Sequence, residues 1–403
     1  MNQTALAYLL TRMLDTPFWG LFNLIPFILY KDLKVTPFQL GLIITLKPLV
    51  SIFSSYWSSK SASLSNGLRF SLFYGRFLAY LPFLALPWIY SPWYLIFCFA
   101  VYMFLQTGMM PAWMELLNRN LEPKTRDRIF SYAQAFGYLG GGLLPFALGF
   151  VLDTHIQSWR WMFPVAAFLG LAAFIWQRKM VFSSENTKND PVVQTDPFMQ
   201  PWKNSWELLK RRPDFAKFQI GFMWIGAGLM VIQPALPVFF VDHLHLSYTE
   251  MGAAITLCKG IGFAFATPFW VRLIQRVNFF FFGALIASLA FLFTGLLIAA
   301  QTAVFSLYAA YLAYGLMQAG NELSWNMSGP IFAKKEDSSS YSTVNLIAVG
   351  VRGLFVPSLG AFCLGHFGTL SSFLLSGSFC LMAALTMLYF SRSSQLEKAS
   401  TNA

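Results

Sequence analysis

Seven ionisable side chains stand where the chain is otherwise apolar: Arg12, Lys47, Arg76, Lys259 and Arg352 are basic, Asp15 and Glu322 acidic. A charge at the middle of a bilayer costs on the order of 2.5–3.5 kcal/mol on insertion scales, so each of these needs a partner, a cavity or a task. Two chemistries suit the set. A lysine or arginine in a dry cavity can compensate an anion for its lost hydration, and a carboxyl group in such a cavity can carry a proton. Lys47 and Lys259 each fall about eleven or twelve residues into an apolar run, near the midplane at roughly 1.5 Å per residue. They read either as structural amines held by a carbonyl or carboxylate, or as a clamp on a substrate anion, and Arg352 divides the same way. Arg12 and Asp15 are three apart on one helix and can pair with each other, with proton carriage as the alternative for Asp15. Glu322 has no basic neighbour in its own run. It is a proton-coupling candidate, or else a partner for Arg352 or Lys259.

Other reaction chemistry has little support. Four histidines are present, and none stands in an apolar run with a nucleophile or at a metal-ligand spacing. Asp242-His243-Leu244-His245 reads as a solvated loop rather than a metal site. No Gly-Lys-Ser/Thr phosphate loop occurs, so an ion gradient replaces ATP as the expected energy source, and no cofactor or metal is expected. Cys98, Cys258, Cys363 and Cys380 lie in apolar runs and read as small hydrophobes.

The elements that must position these residues follow from composition. Hydrophobic residues make up 56% of the 403, charged residues only 11%, and the mean hydropathy is +0.54. A soluble chain of this kind would expose large apolar patches, so soluble enzymes and nucleic-acid-binding domains are excluded and a lipid bilayer is the expected surrounding. Runs of about 20 apolar residues are needed to span it. About twelve are found, near 8–30, 38–59, 69–90, 92–114, 128–152, 159–178, 216–241, 247–273, 278–300, 303–331, 342–364 and 370–390. The first, within Met1 to Tyr30, carries Arg12 and Asp15 and reads as a retained span rather than a cleaved leader. The expected fold is an all-α integral membrane protein with an N-terminal six-helix half (1–182), a cytoplasmic linker with an amphipathic segment (183–214), a C-terminal six-helix half (215–391) and a cytoplasmic tail (392–403). With the N-terminus inside, 20 of the 28 Lys and Arg fall in cytoplasmic loops and three (Lys31, Lys34, Arg160) outside. The positive-inside rule therefore places both termini in the cytoplasm, in a plasma or bacterial inner membrane.

The two halves repeat. Gln106-Thr107-Gly108 followed by Trp113 returns as Gln318-Ala319-Gly320 followed by Trp325, an offset of 212, and Pro145 returns as Pro357. The run from Gly41 to Lys47 returns as Gly252 to Lys259 with one slipped position, and Pro26 returns as Pro237. Such a shift, nearly constant across separate spans, implies two parallel halves related by an axis along the membrane normal. Gln106, Trp113, Gln318, Asn321 and Trp325 join Lys47, Lys259 and Arg352 as substrate-binding candidates.

Several stretches resemble the major facilitator superfamily (MFS) of secondary transporters, over essentially the whole chain. Glu122-Pro123 with Arg126-Asp127-Arg128 resembles that family's basic connection between spans four and five, and Trp159-Arg160-Trp161-Met162-Phe163 its entry into span six. Arg272-Leu273-Ile274-Gln275-Arg276-Val277-Asn278 is similar to its Gly/Asp/Arg signature after span eight, with Gln275 where Asp is frequent and Asn278 where Gly is. The loop after span two keeps Asn66-Gly67-Leu68-Arg69 and has no Asp. Span five carries Gly137, Gly140, Gly141, Gly142, Pro145 and Gly149, loosely like the Gly-Pro signature of the family's antiporters, though small residues also simply let helices approach. The resemblance implies a transporter working by alternating access, not an enzyme. It also implies cytoplasmic gating loops with Arg69, Arg126, Arg128, Arg272 and Arg276, a cavity-lining span ten carrying Glu322, and a peripheral span three from which Arg76 would snorkel to the cytoplasm. The expected partners are a small-molecule substrate and a coupling ion, with no nucleic acid, and the chain is expected to be a monomer. Net positive buried charge suggests a small anionic metabolite as substrate; the alternatives are a proton-coupled exporter of hydrophobic compounds and, disfavoured, a membrane-embedded lipid-modifying enzyme.

Overall fold

The computed structural model describes residues 3–62, 67–155, 157–178, 180, 200–333 and 338–401. These are helical, with no strand among them: α1 (Gln3–Lys31), α2 (Pro37–Ala62), α3 (Gly67–Tyr80), α4 (Pro92–Asn120), α5 (Pro123–Thr154), α6 (Trp159–Ala172), the short α7 (Phe174–Gln177), α8 (Gln200–Arg211), α9 (Pro213–Val231), α10 (Ala235–Val238), α11 (Tyr248–Gly252), α12 (Lys259–Ile274), α13 (Phe279–Ala299), α14 (Phe305–Ala333) and α15 (Ser338–Thr401). Six segments among the described residues are long and apolar enough to cross a membrane, namely Pro92–Leu117, Trp159–Gln177, Pro213–His243, Tyr248–Ile274, Phe279–Ala299 and Thr343–Ser393. The last is two helices. Gly368, at φ 80° and ψ −177°, breaks α15 into arms that match the expected eleventh and twelfth runs, and only glycine adopts that backbone geometry at no steric cost. The order of helices is consistent with the twelve expected crossings.

Helix starts follow the sequence punctuation. Pro92, Pro123 and Pro213 each sit at the head of their helices, where the missing N–H is not needed. Ser247 caps α11 in a reciprocal box with Glu250, and Asn278 caps α13 through the amide of Phe280.

The chain forms two compact units, residues 1–188 with 245–257, and residues 189–244 with 258–403. Within the first, α1 packs on α5 and α6, and α4 on α2 and α3. Its centre is aromatic: Phe18 meets Tyr80, Phe83 and Tyr102 at 4.6–4.8 Å between ring centroids. Within the second, α9 packs on α15, α12 on α14, and α13 on both α14 and α15. The pairings α1·α5 and α2·α4 thus recur as α9·α15 and α12·α14, so each unit repeats the other's arrangement of helices.

The slipped position in the repeat has a physical counterpart. Between α11 and α12, residues Ala253–Cys258 form a π-helical turn, the shape an α-helix takes when it absorbs one extra residue. Gly41 and Lys47 are six apart while Gly252 and Lys259 are seven apart. The wide turn occupies the stretch that holds the extra residue.

Candidate functional site

In the first unit the buried charges pair differently from the sequence expectation. Arg76 is 2% exposed rather than snorkelling, because α3 packs on α4 and α6 and leaves its guanidinium no route out. It donates to both oxygens of Asp15 at 2.6 and 2.9 Å and to the carbonyl of Gly170 at 2.9 Å. The Tyr80 hydroxyl donates to Asp15 as well, at 2.7 Å. Asp15, itself 2% exposed, therefore has three donor groups, two from Arg76 and one from Tyr80, all on α3, and the expected Arg12–Asp15 pair does not form among the described residues. Breaking such a buried pair costs on the order of 3–5 kcal/mol.

Arg12 is left with an aromatic partner instead. Its guanidinium lies 5.7 Å from the Tyr8 ring centre, one turn earlier on α1, and Tyr8 packs edge-on against Trp113 of α4 at 5.2 Å. Trp113 is buried, and Gln106, two turns before it on α4, is half-buried. Lys47 lies on α2 and its side chain is outside the described residues.

The second unit holds a parallel arrangement. Arg352, on the first arm of α15, is 8% exposed and lies 5.8 Å from the Phe222 ring centre. Phe222 packs on Trp325 of α14 at 5.9 Å. The guanidinium donates to the Phe222 carbonyl at 3.1 Å, and its Nε has no hydrogen-bond partner among the described residues. No described carboxylate pairs with it. A cavity for this guanidinium exists only because residue 226 is glycine; a methyl group there would collide with it. Two turns from this point, Gln219, Asn345 and Ser328 form a buried polar chain in which Gln219 donates to Asn345, and Asn345 to Ser328 at 2.8 Å. The Gln219 carbonyl oxygen is left without a partner among the described residues.

On α14, Gln318, Asn321, Glu322 and Trp325 stand at helical spacing on one face, and all four are half-buried. Tyr314 is one turn before Gln318, and the Lys259 amine lies 5.2 Å from its ring centre. α12 and α14 can approach this closely because Gly315 sits directly against the Lys259 carbonyl. Glu322 forms no ion pair among the described residues, so the alternative of a Glu322–Arg352 pair is not what the structure contains. Of the gating-loop candidates, Arg69 at the start of α3 and Arg272 and Arg276 at the end of α12 are exposed, while the Arg126 and Arg128 side chains lie outside the described residues.

The sequence does not mark Arg12 as a cation without a carboxylate among the described residues, nor does it mark Tyr8, Phe222 and Gly226. Tyr8 was within reach, being one helical turn from Arg12. Phe222 and Gly226 were not, since 126 or more residues separate them from Arg352. A cleft of about 630 Å³ opens beside α1, α5 and α6, walled by Leu21, Leu148 and Val165, and none of the sequence candidates lines it.

The Major Facilitator Superfamily profile matches residues 5–345 and again 220–403. No curated protein matches the sequence. Among solved structures, a variant of the nucleoside transporter NupG is similar at TM-score 0.72 and 14% identity, with 96% of this chain and 99% of that one covered. A POT family transporter in complex with 5-aminolevulinic acid is similar at TM-score 0.75 and 12% identity, covering 98% and 97%. A bacterial homologue of the human lysosomal transporter Spinster, inward-facing and unoccupied, is similar at 0.67 and 13%, covering 96% of each chain. At these identities the likeness is one of fold.

Proposed function

The chain belongs to the Major Facilitator Superfamily, a transporter rather than an enzyme, and on that premise we propose that it moves a small anionic metabolite across the bacterial inner or plasma membrane by alternating access, coupled to protons, with both termini in the cytoplasm. One observation carries the choice of an anion: Arg352, a buried guanidinium with a single carbonyl partner and no described carboxylate. Such a group is costly unless an anion completes it, and a substrate carboxylate or phosphate would do so. Arg12, over Tyr8 and not paired with Asp15, is the corresponding cation of the first unit; the further binding candidates are Lys47, Gln106 and Trp113 on that unit and Lys259, Gln318, Asn321 and Trp325 on the second. Glu322 is the preferred proton carrier, because the two oxygens of Asp15 already have three donors. The aromatic partners of both arginines favour the second reading, export of hydrophobic compounds.

The test is uptake into proteoliposomes of a panel of labelled carboxylates and phosphates against neutral compounds of similar size, with and without an imposed pH gradient. Arg352→Gln should weaken the transported anion's binding by 2–5 kcal/mol, about 30-fold to several thousand-fold, leave neutral compounds unaffected, and keep or raise the melting temperature of the ligand-free protein, since an unpaired buried charge is removed. Equal loss for anionic and neutral ligands would dismiss the anion reading. Glu322→Gln should abolish gradient-driven accumulation while sparing substrate exchange, which needs no net proton movement; a variant that still concentrates substrate removes Glu322 from the coupling step.

A further inference from the structure

Helix α8 is polar for a chain of this composition, yet two of its exposed side chains are tryptophans: Trp202 is 39% exposed and Trp206 62%. At about 100° per residue the helix divides cleanly around its axis. Ser205 and Leu208 are buried and Leu209 half-buried, with both leucines packing on the cluster that contains Phe215, Phe218 and Tyr341. Next around the helix come Trp202 and Trp206, one turn apart, and beyond them the exposed Lys203 and Lys210. The Lys210 amine lies 5.5 Å from the Trp206 ring centre. Asn204, on the other flank of the buried face, is exposed and polar. Glu207 is exposed next to the lysines and Arg211 is exposed beyond it towards Asn204, so the two tryptophans, with Lys203 and Lys210 beside them, border one side of the buried face only.

The chain also limits where this strip can lie. Pro213 begins the membrane-spanning segment two residues after α8 ends, a reach of about 7 Å. The connection is fastened as well. Arg212 donates to Asp214 at 2.9 and 3.1 Å, to the Tyr341 hydroxyl at 2.7 Å and to the Phe332 carbonyl at 2.6 Å. Indole rings settle at the headgroup level of a bilayer, and lysines beside them meet its phosphates.

We propose that α8 lies on the membrane surface as an anionic-lipid contact, with Trp202 and Trp206 seated among the headgroups and Lys203 and Lys210 bound to lipid phosphates. The contact rests on the membrane-spanning reading of the chain, and under the proposed topology it is made with the cytoplasmic leaflet. It anchors the second unit where α9, α14 and α15 meet Arg212.

Hydrogen–deuterium exchange on the full chain in nanodiscs tests it, comparing phosphatidylcholine alone with a phosphatidylcholine and phosphatidylglycerol mixture. Exchange of α13 is the insertion control: its protection in both lipids shows that the chain spans the bilayer, so failure at α8 is separable from failure of the transporter reading. Backbone exchange in α8 should slow several-fold in the anionic nanodisc, by about fivefold for each lysine engaged. Lys203→Gln with Lys210→Gln should remove the lipid dependence, and Trp202→Ser with Trp206→Ser should speed exchange in both lipids. Equal exchange of the unaltered helix in the two lipids, with α13 protected, would overturn the proposal.

Discussion

Two arginines that look alike in the sequence, Arg12 and Arg76, have different work. Each stands in an apolar helix near Asp15, and helical spacing favours the nearer one. Packing decides otherwise, because Arg76 reaches Asp15 from α3 at 2.6 Å while Arg12 lies against Tyr8. Arg76→Gln should therefore destabilise the protein by about 3–5 kcal/mol, whereas Arg12→Gln should cost less, about 0.5–2 kcal/mol for the lost contact with Tyr8, and lower anion transport. Melting curves and uptake rates on the two variants check this, and the reverse pattern would reassign both residues. The ionisable residues could be read from the sequence as a set, because a charge in an apolar run announces itself. Their partners could not, because i to i+3 pairing is local and Arg76 lies 61 residues from Asp15.

At the scale of elements, apolar runs and their punctuation foretold the helices well. The proline starts, the Asn278 cap and the break near residue 368 all fall at boundaries where the hydropathy changes. Turns hold the less predictable chemistry. Asp32, just after α1, is partly buried beside Tyr248 and Trp159, and burial raises its carboxyl above the ordinary value of 3.8 despite help from those groups and Lys31. The folded state then binds the proton more tightly than the unfolded chain. Stability associated with this group is present below pH 3.8 and declines as pH climbs through the raised value. Asp32→Asn should accordingly raise the melting temperature near neutral pH, with the advantage shrinking as the pH falls toward 4; an advantage that stays constant with pH would show that Asp32 does not titrate there. Nearby, Asp153 ends α5 by accepting from the amides of Tyr248 and Thr249 at 2.7 and 2.9 Å, and Lys31 stands 4.0 Å from it. No composition rule points to this cluster, since its members come from three separated stretches of chain.

For the whole molecule, the charge bias among loops makes a prediction that packing alone does not. In a background without the four native cysteines, a cysteine at position 188 should be labelled by a membrane-impermeant reagent only from the cytoplasmic side, and one at 245 only from the opposite side. Labelling of both from one side would refute the two-half topology. The duplication was visible as the 212-residue offset, and the recurrence of α1·α5 as α9·α15 gives it a physical form. The helix-packing partners of the duplicated tryptophans were not visible, because Tyr8 and Phe222 do not occupy matching positions.

The π turn at Ala253–Cys258 marks the place where that offset changes. Before the turn the copies differ by 211 positions and after it by 212, so across this turn the second copy is one residue longer than the first. An inserted residue in a regular helix would rotate everything beyond it by about 100°. Here the widened turn absorbed the change locally, and Lys259 kept a place against Tyr314 that selection could continue to act upon. Removing one residue from this turn would give the two copies a single offset of 211 throughout, and a chain so shortened that still folds would show that the helix beyond needs only its angular phase, not the wide turn itself.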